Sequence, residues 1–148
     1  MVDAPKKAAH FSADKPGVDQ LPPDVLLAVA DVFTYGAKKY ARNNWMAGTE
    51  WHEMYGSALR HLLKWWNGED RDACGPECVI DPTIGVCRVH SNCLHLAQAI
   101  WNIGALLFWQ MHELGLDDRM GTLLGYIEQE KVEKAMSQRV SSLRGEDR

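Results

Sequence analysis

The chain has 148 residues, and its formal charge is −4 because 20 acidic side chains outnumber 16 basic ones. Apolar residues make up 46% of it, which excludes a wholly disordered chain and is typical of one globular domain. The mild acidity argues against binding to a nucleic-acid polymer, because no basic stripe is present to neutralise phosphates. No apolar run approaches the roughly 20 residues of a membrane span, and the polar N-terminus carries no secretory signal. We therefore expect a cytoplasmic protein without a membrane partner.

The first half of the chain predicts a flexible arm and two helices. Residues 1–20 are polar and are expected to form the arm. Two prolines followed by an aspartate suit a helix start, and apolar residues at steps of three and four carry this helix over residues 21–40. Residues 41–48 are rich in Asn and Gly and predict a loop, after which Thr49 can cap a second helix over residues 50–66.

The second half predicts an irregular insertion between helices. Residues 73–92 are rich in proline, glycine and cysteine and show no convincing strand. A very apolar third helix is expected over residues 91–114, a fourth over residues 121–142, and a frayed tail over residues 143–148. The fold class is therefore all-α, with one four-helix, bundle-like domain over residues 21–142.

A polar stripe runs along the apolar third helix. Ser91, His95, Gln98 and Asn102 are separated by steps of four, three and four, which places them on one side of a helix. Burying such groups costs about 1–3 kcal/mol each unless they are paired. The stripe is either a satisfied network in the core or a binding surface for a ligand or metal.

The second helix carries polar residues at the same kind of spacing. Its members are Glu53, Ser57, Arg60, His61 and Lys64. They form either a solvated face or a surface opposed to the stripe of the third helix.

Three carboxylates follow the second helix within four positions, namely Glu69, Asp70 and Asp72. Clustered carboxylates repel one another unless a cation compensates them. Such oxygen ligands suit Mg²⁺ or Mn²⁺, and an ordinary charged loop is the alternative.

Cations, amides and an aromatic side chain lie close together where the first helix ends. They are Lys38, Lys39, Asn43, Asn44 and Trp45. This set could hold phosphates and stack on a base. The alternative is a basic helix C-terminus that complements the helix dipole.

Three cysteines lie within the insertion and a fourth follows it directly, and His90 lies among them. Cys74, Cys78, Cys87 and Cys93 are separated by three, eight and five residues, so no tight Cys-x-x-Cys pair is present. A structural Zn²⁺ on these four thiolates is possible, and reduced free cysteines are the alternative.

Four blocks in this order resemble a known family: LPPDVL, TYGAKKYARNNW, WHEMYGSALRHLLKWWNGEDRD and HLAQAIWN. The chain is similar to the phage dATP/dGTP diphosphohydrolases of the MazZ type, a branch of the MazG-like all-α nucleoside triphosphate pyrophosphohydrolases. The resemblance implies cleavage of a purine deoxynucleoside triphosphate, dGTP and also dATP or GTP, into the monophosphate and pyrophosphate. It also implies Mg²⁺ or Mn²⁺, a homodimer or homotetramer, and a role in supplying 2-aminoadenine nucleotides in a phage.

The resemblance assigns site residues as well. It implies Glu69, Asp72, His61 and His95 as metal ligands, and the first three of these as catalytic residues. Arg60, Lys38 and Lys39 would contact the phosphates, whereas Asn43, Asn44, Trp45 and Asn102 would contact base and sugar.

The chain departs from the family pattern at two kinds of position. The second histidine of the family's third-helix block is Gln98 here, and the insertion is long. The wider group also uses a Glu-x-x-Glu pair, which Glu50 and Glu53 match in spacing, so Glu53 is an alternative to Glu69 as leading ligand. Two rival functions stay open: a zinc-clipped helical adaptor without activity, and a phosphohydrolase that releases phosphate from deoxynucleotides.

Overall fold

A computed structural model describes residues 15–144, with the side chains of residues 15–141. It confirms the all-α, bundle-like class, because four helices dominate the chain: α1 (Pro23–Lys39), α2 (Trp51–Trp66), α3 (His95–His112) and α4 (Met120–Arg144). Short 3₁₀ helices cover Val18–Gln20 and Asn44–Ala47. Of the predicted arm and tail, residues 1–14 and 145–148 lie outside the described residues.

The α3 helix lies at the centre of the fold and packs along α2 and against α1. It supplies most of the buried side chains, including Trp109, which is 1% exposed. On its other side Ala97 packs with Val32 of α1 and with Cys93, which precedes the helix. Burial of apolar area on α3 therefore unites the first three helices.

The α4 helix differs from the other three because it makes few contacts with them. None of its described side chains is buried, up to residue 141. The core of the bundle is consequently formed by α1, α2 and α3. Within residues 15–144, no helix combines the length and the apolar character that crossing a bilayer requires.

Two helix starts differ from the prediction. The α3 helix begins at His95, and Ser91 lies before it, because the backbone N–H and hydroxyl of Ser91 donate to the Asp72 carboxylate. Thr49 does not cap α2 with its side chain, since its hydroxyl donates to Glu53 Oε2 at 2.6 Å instead. Local side-chain hydrogen bonds to carboxylates thus compete with helix capping at both places.

The insertion contains a small hairpin, although no strand was predicted there. Strand β1 (Ile80–Asp81) pairs antiparallel with β2 (Val86–Cys87). The Tyr35 hydroxyl of α1 donates to the Cys87 carbonyl oxygen at 2.8 Å, which ties the hairpin to the helical body. Where the insertion joins the body, Arg71 and Leu94 form an antiparallel bridge.

Candidate functional site

An open cleft of about 1330 Å³ lies between α1 and α2, and side chains of α3 line it as well. It exceeds the roughly 300–1,000 Å³ of typical small-molecule sites. The residues predicted to bind substrate all line it: Lys38, Lys39, Asn43, Asn44, Trp45, Arg60 and Asn102. The polar face of α2 lines the same cleft, including Glu53, Ser57, His61 and Lys64, so it is more than a solvated surface.

Positive charge enters the cleft from two sides. Lys38, Lys39 and Arg42 come from the end of α1 and the loop after it, and Arg60 and Lys64 come from α2. Cations that converge from two elements attract a polyanion more strongly than cations spread along one surface. The arrangement therefore suits an oligophosphate.

The buried row on α3 lacks hydrogen-bond partners at key atoms. Within the described part of the chain, His95 Nε2, Gln98 Nε2 and Trp101 Nε1 are buried and unpartnered. Asn102 is buried too, but its Nδ2 donates to the Gln98 carbonyl oxygen at 2.8 Å. Unsatisfied buried groups cost about 1–3 kcal/mol each, and Gln98 and Trp101 line the cleft, so a ligand is the natural partner. Protein groups within the described part of the chain therefore do not satisfy the whole row.

Trp101 is a member of this row that the sequence analysis did not single out. Its spacing in the sequence indicates its place in the row, because a step of three from Gln98 keeps the Trp101 indole on the same side of the helix as the polar stripe.

Two histidines connect the opposed faces of α2 and α3. His61 Nδ1 and His95 Nδ1 lie 2.9 Å apart, and His95 Nε2 lies 3.7 Å from Glu69 Oε2. Burial, followed by the electrostatic effect of the neighbouring His95 ring, lowers the pKa of His61. His61 is therefore neutral at pH 7. Lys64 Nζ approaches the same Glu69 oxygen at 3.8 Å.

Asp72 is a buried carboxylate on the cleft wall. Its Oδ2 accepts hydrogen bonds from the Ser91 backbone N–H at 2.9 Å and hydroxyl at 3.1 Å. Burial acts to raise the pKa of Asp72, but the two Ser91 hydrogen bonds outweigh it, and the pKa falls below its usual value. Asp72 is therefore ionised at neutral pH.

Trp45 lies on the wall between aromatic neighbours. Its ring meets Phe33 and Phe108 edge-on, with centroids 5.6 and 5.0 Å apart. Its carbonyl oxygen accepts a hydrogen bond from Trp109 Nε1 at 2.9 Å. These contacts hold the indole in one orientation in the cleft.

The structure brings the predicted metal-binding residues to one end of α2 and α3 without closing them into one ligand group. Among residues 15–141, the group whose ligand atoms all lie within 4.8 Å of one another is a different one: Cys74, Cys78, Cys87 and His90. Glu69 and His95 form a pair, whereas Asp72 is engaged by Ser91.

The predicted set of four cysteine ligands for zinc is wrong in one member. Cys93 is buried against Val32 and Ala97 in the core, and His90 takes its place beside the other three cysteines. The missed signal was Cys87-x-x-His90, a tight pair that becomes visible when histidine is counted with cysteine. Backbone N–H groups of His90 and Val89 lower the pKa of Cys87 to about 7.

Comparison with known proteins identifies the family. A sequence profile described as dATP/dGTP diphosphohydrolase, N-terminal, matches residues 5–119, which is more than half of the chain and includes the cleft, the insertion and α1 to α3. No curated protein and no solved structure gave a significant match. The hypothesis of an adaptor without activity is therefore wrong. The chain belongs to the dATP/dGTP diphosphohydrolase family of enzymes.

Proposed function

We propose that the cleft binds dGTP or dATP and hydrolyses it between the α- and β-phosphates, releasing the monophosphate and pyrophosphate with the help of Mg²⁺ or Mn²⁺. The observation that carries this proposal is the pairing of opposite charges in one cleft. Five cations line the cleft together with the carboxylates of Glu53 and Asp72, and the neutral His61 ring lines it as well. A triphosphate with its metal ions needs both signs of charge.

The cations of the cleft differ in how strongly their neighbours restrain them. Lys39 Nζ lies 4.9 Å from the centre of the Tyr40 ring and 5.8 Å from that of Tyr35, so aromatic faces restrain it. Lys38 and Arg60 are exposed and can follow a flexible phosphate chain. We assign Lys38, Lys39 and Arg60 to the phosphates, where they stabilise charge on the pyrophosphate leaving group.

The residues around Glu69 fit a divalent cation. His95 Nε2 is fully buried without a hydrogen-bond partner in the described chain, and Glu69 Oε2 lies 3.7 Å from it. Mg²⁺ typically takes only one or two carboxylates and completes its shell with water and substrate phosphates. We therefore assign Glu69 and His95 as ligands, with Asp72 and His61 beside them. When bound, such an ion lowers the pKa of a coordinated water and neutralises phosphate charge.

Side chains on the cleft walls are suited to proton transfer and to recognition of the purine base. Ionised Asp72 can accept a proton, because Ser91 occupies only its Oδ2 atom. Asn102 Nδ2 is held by Gln98, so its Oδ1 is available to accept a hydrogen bond from an amino or imino group of a purine. Asn43 and Asn44 line the other end of the cleft, and the Trp45 indole supplies apolar contact.

We propose one further property on the basis of the sequence resemblance. The dGMP produced would serve as precursor of 2-aminoadenine nucleotides in a phage.

A homo-oligomer is supported by an uncovered apolar face on α3. Ile100, Ile103, Leu107 and Met111 recur at steps of three and four and are 47–70% exposed. We propose that a second copy of the chain covers this face. Light scattering after size exclusion should give a dimer or tetramer, and Ile103→Glu should give a monomer. A Leu63→Glu variant on α2 is the control and should not change the mass.

The activity is tested by incubating the protein with dGTP and Mn²⁺ in H₂¹⁸O. The expected products are pyrophosphate and dGMP, with the heavy oxygen on dGMP, because water attacks the α-phosphate. Release of inorganic phosphate alone would favour the phosphohydrolase alternative. Label on pyrophosphate would overturn the proposed site of attack.

A further inference from the structure

Four ligand atoms from the two ends of the insertion meet in one place. Cys74 and Cys78 precede the hairpin, Cys87 is the last residue of its second strand, and His90 follows it. All four ligand atoms lie within 4.8 Å of one another, and Cys78 Sγ is 3.0 Å from His90 Nδ1. Tetrahedral Zn²⁺ with Zn–S bonds of about 2.3 Å places its sulfur ligands about 3.8 Å apart. Enclosing the ion therefore needs only small side-chain shifts, in which the Cys78–His90 pair moves apart slightly.

The turn after β2 is shaped to present Cys87 as a thiolate. The backbone N–H groups of Val89 and His90 both donate to Cys87 Sγ at 3.4 Å. Two donors on one sulfur favour its ionised form, which is the form that binds metal. The pairs Cys74-x₃-Cys78 and Cys87-x₂-His90 have the short spacing seen within each half of structural zinc sites.

The insertion has almost no core of its own to stabilise it. Among residues 73–92, Cys87 is the one side chain that is buried. Two short strands with so little apolar burial are marginal in water without a covalent or metal cross-link. A disulfide would use two of the sulfur atoms and leave a thiol and His90 without a role.

We propose that Cys74, Cys78, Cys87 and His90 bind one structural Zn²⁺ that closes the insertion. Four protein ligands fill the tetrahedral shell and leave no position for water or substrate, so this ion is separate from the metal that assists hydrolysis.

The zinc would act on the cleft through its neighbours. The Cys87 carbonyl oxygen accepts the Tyr35 hydroxyl at 2.8 Å, and Val89 lines the cleft. The next residue after His90 is Ser91, which holds Asp72 by two hydrogen bonds. The ion therefore positions one wall of the cleft and the Asp72 carboxylate, and this proposal does not depend on the identity of the substrate.

The test is metal analysis of the full-length protein purified from medium without added zinc, with Cys93→Ser as the matched control. We expect about one zinc per chain in the wild type and in Cys93→Ser, and near-complete loss in Cys78→Ser and His90→Ala. Equal zinc loss in Cys93→Ser, or a folded wild-type protein without zinc, would overturn the proposal.

A second measurement covers the case in which the variants fail to fold. The wild-type protein is stripped of metal with a chelator, reduced and titrated with Co²⁺. One equivalent should produce visible d–d bands of tetrahedral cobalt with a thiolate charge-transfer band. Absence of the thiolate band, or octahedral cobalt spectra alone, would contradict the proposed site.

Discussion

His61 Nδ1 on α2 and His95 Nδ1 on α3 lie 2.9 Å apart, so one ring must donate a proton to the other. Two neutral rings have one Nδ1 proton between them, and the ring that accepts it carries its own proton on Nε2. Only one of the two Nε2 atoms therefore has a lone pair. A metal ion held between His95 Nε2 and Glu69 requires the lone pair on His95, so in the metal-bound protein that we propose His95 carries the Nδ1 proton and His61 the Nε2 proton.

This assignment predicts different effects for the two histidines. We expect His95→Gln to raise the Mn²⁺ concentration needed for half-maximal activity by at least about tenfold, because a metal ligand is lost. His61→Leu should keep the metal requirement and lower kcat by about 100-fold, because a cleft hydrogen-bond donor is lost. Kinetics with dGTP at varied Mn²⁺ concentration measure both the metal requirement and kcat. The control is His112→Gln, at an exposed position at the C-terminal end of α3. The reverse pattern would show that His61 is the ligand.

The leading carboxylate ligand can be identified by comparing Glu69→Gln with Glu53→Gln. Glu69 lies beside His95, whereas Glu53 Oε2 accepts the Thr49 hydroxyl at 2.6 Å. We expect only Glu69→Gln to weaken Mn²⁺ binding strongly, which calorimetric titration measures directly. If Glu53→Gln weakens Mn²⁺ binding and Glu69→Gln does not, Glu53 is the leading ligand.

Trp101→Phe should have opposite effects on stability and on substrate binding. It removes an unpartnered buried N–H, so the free energy of unfolding should stay equal or rise in urea titrations. It also removes a donor available to the nucleotide, so KM for dGTP should rise by about three- to tenfold, as expected for a hydrogen bond of about 1 kcal/mol. Trp66→Phe, at an 80% exposed position, should change neither value. A lower stability with unchanged KM would show that Trp101 only packs the core.

Gly115→Ala should destabilise the protein, whereas Gly104→Ala should not. Gly115 lies in the loop after α3 and has φ +75°. This loop passes close to the residues just before α2, so a Cβ on residue 115 would lie 2.4 Å from the Thr49 carbonyl oxygen. We expect a loss of more than about 1 kcal/mol in the free energy of unfolding. Gly104 lies within α3 with open space around its Cα, so alanine should stabilise by about 0.5–1 kcal/mol. Equal effects in chemical denaturation would contradict the close approach.

The His52–Asp118 pair predicts a pH-dependent contribution to stability. The hydrogen bond that His52 Nδ1–H donates to the Asp118 carboxylate raises the pKa of His52 and lowers the pKa of Asp118. The histidine contribution is complete below its unfolded pKa of about 6.5 and disappears as the pH rises through the folded value. The aspartate contribution is present above about 3.9 and disappears as the pH falls through its lowered value.

The measurement is the difference in melting temperature between the wild type and Asp118→Asn across pH. We expect the difference to be largest between about pH 4 and 6.5 and to vanish in the alkaline range. A difference that is constant with pH would mean that the pair stabilises by packing alone. Asp19→Asn in the exposed segment before α1 serves as the control.

Much of the site could be predicted because its information is local. Periodic apolar residues predict α1, α2 and α3 to within a few residues, since an amphipathic helix repeats every 3.6 positions. The same period places His95, Gln98 and Asn102 on one side of a helix. The clustering of carboxylates indicated Glu69 and Asp72 as metal ligands, and the resemblance to the family implied the same role for them.

Other features depend on how distant segments meet. The sequence places His95 on a polar stripe, but only the packed structure shows that its Nδ1 faces His61 while its Nε2 stays unpartnered. Likewise only the packed structure shows that α4 lies away from the core and makes few contacts with the other described helices.

The cysteines show the same division most clearly. The sequence by itself determined which residues could bind zinc, because thiolates and imidazoles are its preferred ligands. Only the tertiary structure selected His90 over Cys93, since the direction of each side chain depends on the turn after β2 and on the packing of Cys93 against Val32. Residue chemistry and helical period are properties of the chain, whereas the meeting of ligand atoms is a property of its three-dimensional path.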